Sequence, residues 1–282
     1  MGLSITTDYA THTGDPSPYL RRIADAGFTH IHWCHHWNTD FLYSESETAQ
    51  IHTWLRHYGL QLLDLHGSVG PEKNWTSPRE YERIAGVEIV KNRIEMTARL
   101  GGDVIVMHIL SEPDCEPLRK SLAQVEGFAR DRRVRIALEN GSFETIGQVL
   151  DEYSPDYLGL CYDSGHGNVE ERGMDHLEAL KDRLISVHLN DNDGAVSSHS
   201  LLFSGTVDWA RLAGIVAVSA YAKCVSMEPI MSTSGIEDEA TFLDHAFETG
   251  ARFARMIEKH RTELQDGADT EQSHVADAQQ RA

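Results

Sequence analysis

The chain has 282 residues, 40% of them hydrophobic, which suffices for two ordinary domains or for one α/β barrel. Its 44 acidic residues outweigh 25 basic ones, for a formal charge of −19, and this disfavours nonspecific attraction to nucleic acid or to anionic membranes. Cys34, Cys115, Cys161 and Cys224 are widely spaced and form no CxxC pair, so they describe neither a zinc knuckle nor a disulfide framework.

The first residues, MGLSITTDYATHTGDPSP, lack a basic start followed by an apolar stretch. No run approaches the roughly 18 apolar residues of a membrane span, so a cytoplasmic protein without a membrane partner is expected. Along the chain, eight short apolar runs alternate with amphipathic segments. The runs are GLSITTD, FTHIHWC, LQLLDLH, DVIVMH, VRIALE, YLGLCYD, LISVH and AKCVSME. Helical spacing falls between them over 18–26, 44–57, 78–100, 118–131, 145–152, around 174–180, over 208–218 and over 237–260. In the third of these, Ile84, Val87, Val90, Ile94 and Thr97 or Ala98 recur on one face and are read as its core side. Strand alternating with helix eight times predicts parallel strands joined by crossover helices. A single (β/α)8 TIM barrel over 1–260 accounts for this better than a doubly wound sheet. The polar stretch after Arg261 has no hydrophobic period, and 261–282 is read as a disordered tail.

Six of the eight apolar runs end on His66, His108, Glu139, Asp163, His188 and Glu228. In a parallel barrel those ends share one rim, where barrel enzymes place their chemistry. Singly, each has an ordinary explanation: a strand-end carboxylate caps a helix, and a histidine bonds a loop. Jointly they do not, because three carboxylates converging in one mouth repel one another unless a cation sits among them. A divalent ion is therefore expected. The stretch LGLCYDSGHGNV reads as a strand, Asp163, a tight glycine turn and His166. HIHWCHHWN, from His30, is read either as strand packing followed by a structured loop or as a stretch whose His35, His36 and Trp37 form one wall of a pocket. Lys73 and Asn74 lie in a long loop, either exposed or reaching a hydroxyl group across the mouth.

The ordered segments RIALEN, GLCYDSGHGN, ISVHLND and VSMEP resemble the xylose-isomerase-like TIM-barrel superfamily, over about Leu3 to His260. That superfamily includes sugar isomerases and epimerases, inosose dehydratases and apurinic endonucleases of the endonuclease IV type. The resemblance implies a catalytic metal held by Glu139, Asp163, His188 and Glu228, with Glu139 and Glu228 as the proton-transferring pair. It also implies a further site at His66, His108 and Glu139. His166 and His199 match ligands of a third endonuclease site, but Ser197 stands where that site has an aspartate, and Phe203, Ser204 and Gly205 replace a Gly-Glu-Gly. This leaves His166 and His199 free to bind substrate. The implied function is a divalent-metal-dependent isomerase or epimerase of a small sugar, sugar phosphate or polyol-ketone, working through an enediolate. A metal-dependent phosphodiesterase of the apurinic-endonuclease type is the alternative. Oxygen-rich ligands favour Mn2+ or Mg2+, and His66 with His108 leaves room for Zn2+ or a second ion. The expected partner is a small carbohydrate, with no nucleic acid.

Overall fold

A computed structural model describes residues 2–34, 42–67, 73–109 and 115–280, with side chains described as far as 266. Eight strands form one all-parallel sheet in the order β7-β6-β5-β4-β3-β2-β1-β8. They are β1 (Leu3–Thr6), β2 (His30–Trp33), β3 (Gln61–His66), β4 (Val104–His108), β5 (Arg135–Glu139), β6 (Leu158–Asp163), β7 (Leu184–His188) and β8 (Val225–Met227). The bridge from Leu189 to Met227, with the Glu228 amide donating to the Leu189 carbonyl at 2.9 Å, joins the two ends. The chain is therefore a (β/α)8 TIM barrel, and the open-sheet alternative is excluded.

The crossover helices are α1 (Ser17–Asp25), α2 (Glu45–Tyr58), α3 (Glu80–Arg99), α4 (Glu116–Arg132), α5 (Phe143–Glu152), α6 (Ser164–Val169), α7 (Gly173–Leu180), α8 (Trp209–Ala217) and α9 (Glu239–Gln280). Local chemistry sets their ends. Ser44 and Glu47 form a reciprocal capping box at the start of α2, and Gly59 ends it at φ 69°, a left-handed conformation that costs glycine little. Most apolar side chains pack between the sheet and these helices. A smaller apolar cluster, Val104, Val106, Ala137, Cys161 and Ile185, comes from β4 to β7.

Two readings of the sequence change here. Ile84 is 45% exposed, whereas Val87, Val90, Ile94 and Thr97 are buried. The first turn of α3 instead buries Arg83, whose guanidinium donates to Ser121 and Gln124 on α4. The glycine turn after Asp163 is a short helix, α6, because the Asp163 side chain accepts from the His166 amide at 2.8 Å and caps it. The backbone of α9 runs on to Gln280. Among the described residues no helix is long and apolar enough to cross a membrane.

Candidate metal centre

Parallel strands bring their C-terminal ends to one rim, so His66, His108, Glu139, Asp163 and His188 emerge together as the last residues of β3 to β7. Glu228 follows one residue after β8. Two register slips help to aim these groups. Between β2 and β3 the pairing passes from Leu62 to Asp64, skipping Leu63, and between β6 and β7 it passes from Leu184 to Ser186, skipping Ile185. Alternation from those points puts Asp64 with His66, and Ser186 with His188, on the same face.

Four sets of potential ligand atoms, each within 4.8 Å of one another, occur among the described residues. His66, His108 and Glu139 form one: the His108 Nε2 lies 2.9 Å from Glu139 Oε2, and the His66 Nε2 lies 3.1 Å from the His108 Nε2. Glu139, Cys161 and His188 form a second, with Glu139 Oε1 only 2.5 Å from His188 Nδ1. His32, His188 and Glu228 form a third; Glu228 Oε1 stands 2.9 Å from His32 Nε2 and 3.4 Å from His188 Nδ1. Asp163, His166 and His199 form the fourth. The structure thus brings Glu139, His188 and Glu228 together through shared neighbours, and sets Asp163 in the adjoining group. There the Asn190 amide donates to both Asp163 oxygens at 3.1 Å, and His166 Nδ1 lies 3.3 Å away.

Burial acts to raise the Glu139 carboxyl, but the charge of His188 beside it and the imidazoles of His108 and His66 hold it well below the usual range. Glu228 behaves likewise: desolvation is outweighed by His188 and by His32. Desolvation would lower His188, yet Glu139 and Glu228 push it up to about 9. The hydrogen bond to Asp163 raises His166 despite partial burial. Burial pushes the Cys161 thiol well up, so it is a neutral donor to Glu139 at 3.2 Å and a poor ligand.

A cation fits these residues. Both ring nitrogens of His188, and Nε2 of His32, are buried without a directed hydrogen bond, although carboxylate oxygens stand at contact distance. Unpartnered imidazole nitrogens among buried carboxylates are what a bound ion satisfies.

His166 and His199 both line a cavity of about 130 Å3 over these groups, with His66, His108 and Glu228. A second, more apolar cavity of about 190 Å3 opens beside Asp163 and His166 and reaches Phe143, Ile146 and Val169. Asn140 and His166 belong to both walls. Ser197 Oγ faces His166 Nδ1 at 3.5 Å, so no third carboxylate stands there. Trp37 lies outside the described residues. Asn74 does not reach the mouth; its side chain accepts from Thr76 at 3.0 Å and organises its own loop.

Sequence reasoning missed His32 and Asp64. His32 Nδ1 lies 2.8 Å from Asp64 Oδ1, and the Ser186 hydroxyl donates to Asp64 Oδ2. All three are buried. The signal was present: Asp64 stands two residues before His66 in LLDLH, so strand alternation aims both the same way.

Residues 20–246 match the model of a family described as xylose isomerase-like TIM barrel. An uncharacterized Sinorhizobium fredii protein, y4fM, is 30% identical over 275 residues, covering 84% of this chain and 88% of its own. A probable endonuclease 4 of Mycobacterium marinum is 26% identical over 196 residues, 60% of this chain and 73% of the other. A solved structure of L-ribulose 3-epimerase superimposes with a TM-score of 0.75 at 19% identity, covering 94% of this chain and 97% of that one. This last likeness is one of fold.

Proposed function

The chain belongs to the xylose isomerase-like TIM barrel family, and on that footing we propose that it is a divalent-metal-dependent isomerase or epimerase of a small sugar, sugar phosphate or polyol-ketone. The observation that carries this reading is the pair Glu139 and Glu228. They are buried carboxylates at the ends of β5 and β8, held ionised, and each brings an oxygen to His188 Nδ1, at 2.5 and 3.4 Å. An ionised, desolvated carboxylate is a base without a solvent shell to shed.

Glu139, Asp163, His188 and Glu228 would hold the ion, Mn2+ or Mg2+, and His66 with His108 would share Glu139 with a second, for which Zn2+ is suited. The ion, when bound, polarises a carbonyl and its neighbouring hydroxyl group and so acidifies the C–H between them. One glutamate removes that proton to give an enediolate, and the other returns a proton to the opposite face. His166, with Nδ1 3.3 Å from Asp163, is the donor to substrate oxygens, and His199 flanks it at 5.8 Å between ring centroids. The cavity of about 130 Å3 is lined by histidines and carboxylates suited to a hydroxylated ligand. Cysteines without a disulfide suit a reducing compartment, and we place the enzyme in the cytoplasm.

The test is deuterium wash-in from heavy water across ketoses, keto-inositols and keto-acids, with metal content measured on the same protein. Metal-dependent exchange of one carbon-bound hydrogen is the expected result; a metal-loaded protein that exchanges none across the panel sinks the reading.

The second reading, a phosphodiesterase acting on abasic DNA, is favoured by the His66, His108 and Glu139 group and by the endonuclease 4 relatives. Ser197 in place of an aspartate and the charge of −19 weigh against it.

A further inference from the structure

Three of the four potential ligand sets contain Glu139 or Glu228, and one of these three brings in an imidazole outside the set the family resemblance implies: His32. We propose that His32 is itself a ligand of the principal ion, alongside His188, Glu139 and Glu228. This rests on the metal-dependent reading above.

Three observations carry it. First, His32 Nε2 is buried 2.9 Å from Glu228 Oε1, and the two do not make a directed hydrogen bond. A side chain whose task was to brace Glu228 would aim an N–H at it. Second, the separations suit a shared ion. Ligand atoms about 2.1 Å from one metal stand roughly 3.0 to 3.4 Å apart in octahedral or tetrahedral arrangements. His32 Nε2 and His188 Nδ1 lie 2.9 and 3.4 Å from the same Glu228 oxygen, and the two imidazole rings tilt together with centroids 4.1 Å apart. Third, the far side of His32 is built as the far side of a metal-bound histidine usually is. Its Nδ1 bonds the buried Asp64 carboxylate at 2.8 Å, and Asp64 is held in turn by the Ser186 hydroxyl. A carboxylate on one ring nitrogen fixes the tautomer that presents a lone pair on the other and makes that nitrogen a better donor to metal.

Two imidazoles change the choice of ion. Nitrogen ligands favour Mn2+ or Zn2+ over Mg2+, which prefers oxygen and water. The principal site should therefore discriminate against Mg2+ more strongly than the four ligands of the resemblance would.

The experiment is electron spin-echo envelope modulation on protein loaded with one equivalent of Mn2+, in a His66→Gln/His108→Gln background that removes the neighbouring histidines. Two imidazole nitrogen couplings are expected, falling to one in His32→Gln and to one in His188→Gln. A single coupling that survives His32→Gln and vanishes in His188→Gln overturns the proposal, and leaves His32 as a brace for Glu228. Should His32→Gln fail to fold, a single coupling in the parent protein overturns it equally. If the parent takes up no Mn2+ by elemental analysis, the metal-dependent reading has failed, and this inference with it. Calorimetric titration adds a second readout: Mg2+ should bind at least about 10-fold more weakly than Mn2+, and that gap should narrow in His32→Gln.

Discussion

Glu139 and Glu228 differ from Asp163 in what surrounds their oxygens. Among the described residues the glutamates touch only imidazoles, a thiol and each other's neighbours, whereas both oxygens of Asp163 accept from Asn190 and one also caps α6. Proton transfer needs a carboxylate with spare lone pairs; ligation and capping need only a fixed oxygen. Glu139→Gln or Glu228→Gln should therefore retain most bound metal while turnover falls about 10² to 10⁴-fold, the usual cost of losing a general base. Asp163→Asn keeps a good helix cap and should fold normally, yet lose metal and activity together and recover in part at high Mn2+. Occupancy and turnover must be read on the same preparations. Near-normal activity of metal-loaded Glu228→Gln would remove the two-glutamate mechanism and promote His166.

Between strands and loops, α3 shows how an element far from the chemistry supports it. Gly86 lies inside this helix, where alanine ordinarily gains about 1 kcal/mol. A β-carbon there would stand 2.2 Å from the Trp75 amide nitrogen and 2.4 Å from the Asn74 carbonyl carbon, both backbone atoms that cannot swing aside. Overpacking of this kind costs about 1 to 3 kcal/mol, so Gly86→Ala should lower the urea midpoint with an unchanged slope. Trp75 also donates its indole N–H to the His108 carbonyl at 3.1 Å. The same substitution should thus weaken metal binding at His66 and His108 before it affects the principal ion. A more stable Gly86→Ala protein would show that the Asn74–Trp75 backbone is not held as described.

For the molecule as a whole, charge decides which large partners can approach. Nucleic-acid enzymes gain affinity by neutralising phosphates with basic side chains, and a chain at −19 must first overcome its own field. We expect no metal-dependent nicking of an abasic duplex at low salt with Zn2+, Mn2+ or Mg2+ supplied in turn. Robust nicking that disappears in Glu139→Ala would reverse the order of the two readings.

The barrel was legible in the residues because its signals are local. Period-two apolar runs, helical spacing between them and a polar residue at each run's end need no knowledge of distant contacts, and they sufficed for eight parallel strands and for six strand-end side chains on one rim. What needed the fold was everything set by neighbours remote in sequence. Ile84 is exposed because Arg83 meets α4, a contact spanning some 40 positions. The glycines after Asp163 form a helix because a side chain caps them, which outweighs their poor intrinsic preference. His32 looked like strand packing, and Asp64 drew no reading at all, until register slips at Leu63 and Ile185 turned them toward Ser186 and His188. The sequence by itself determined which groups reach the rim, through alternation along each strand. Only the closed barrel decided which of them stand within reach of one ion, because that depends on shear and register between strands that no single segment encodes.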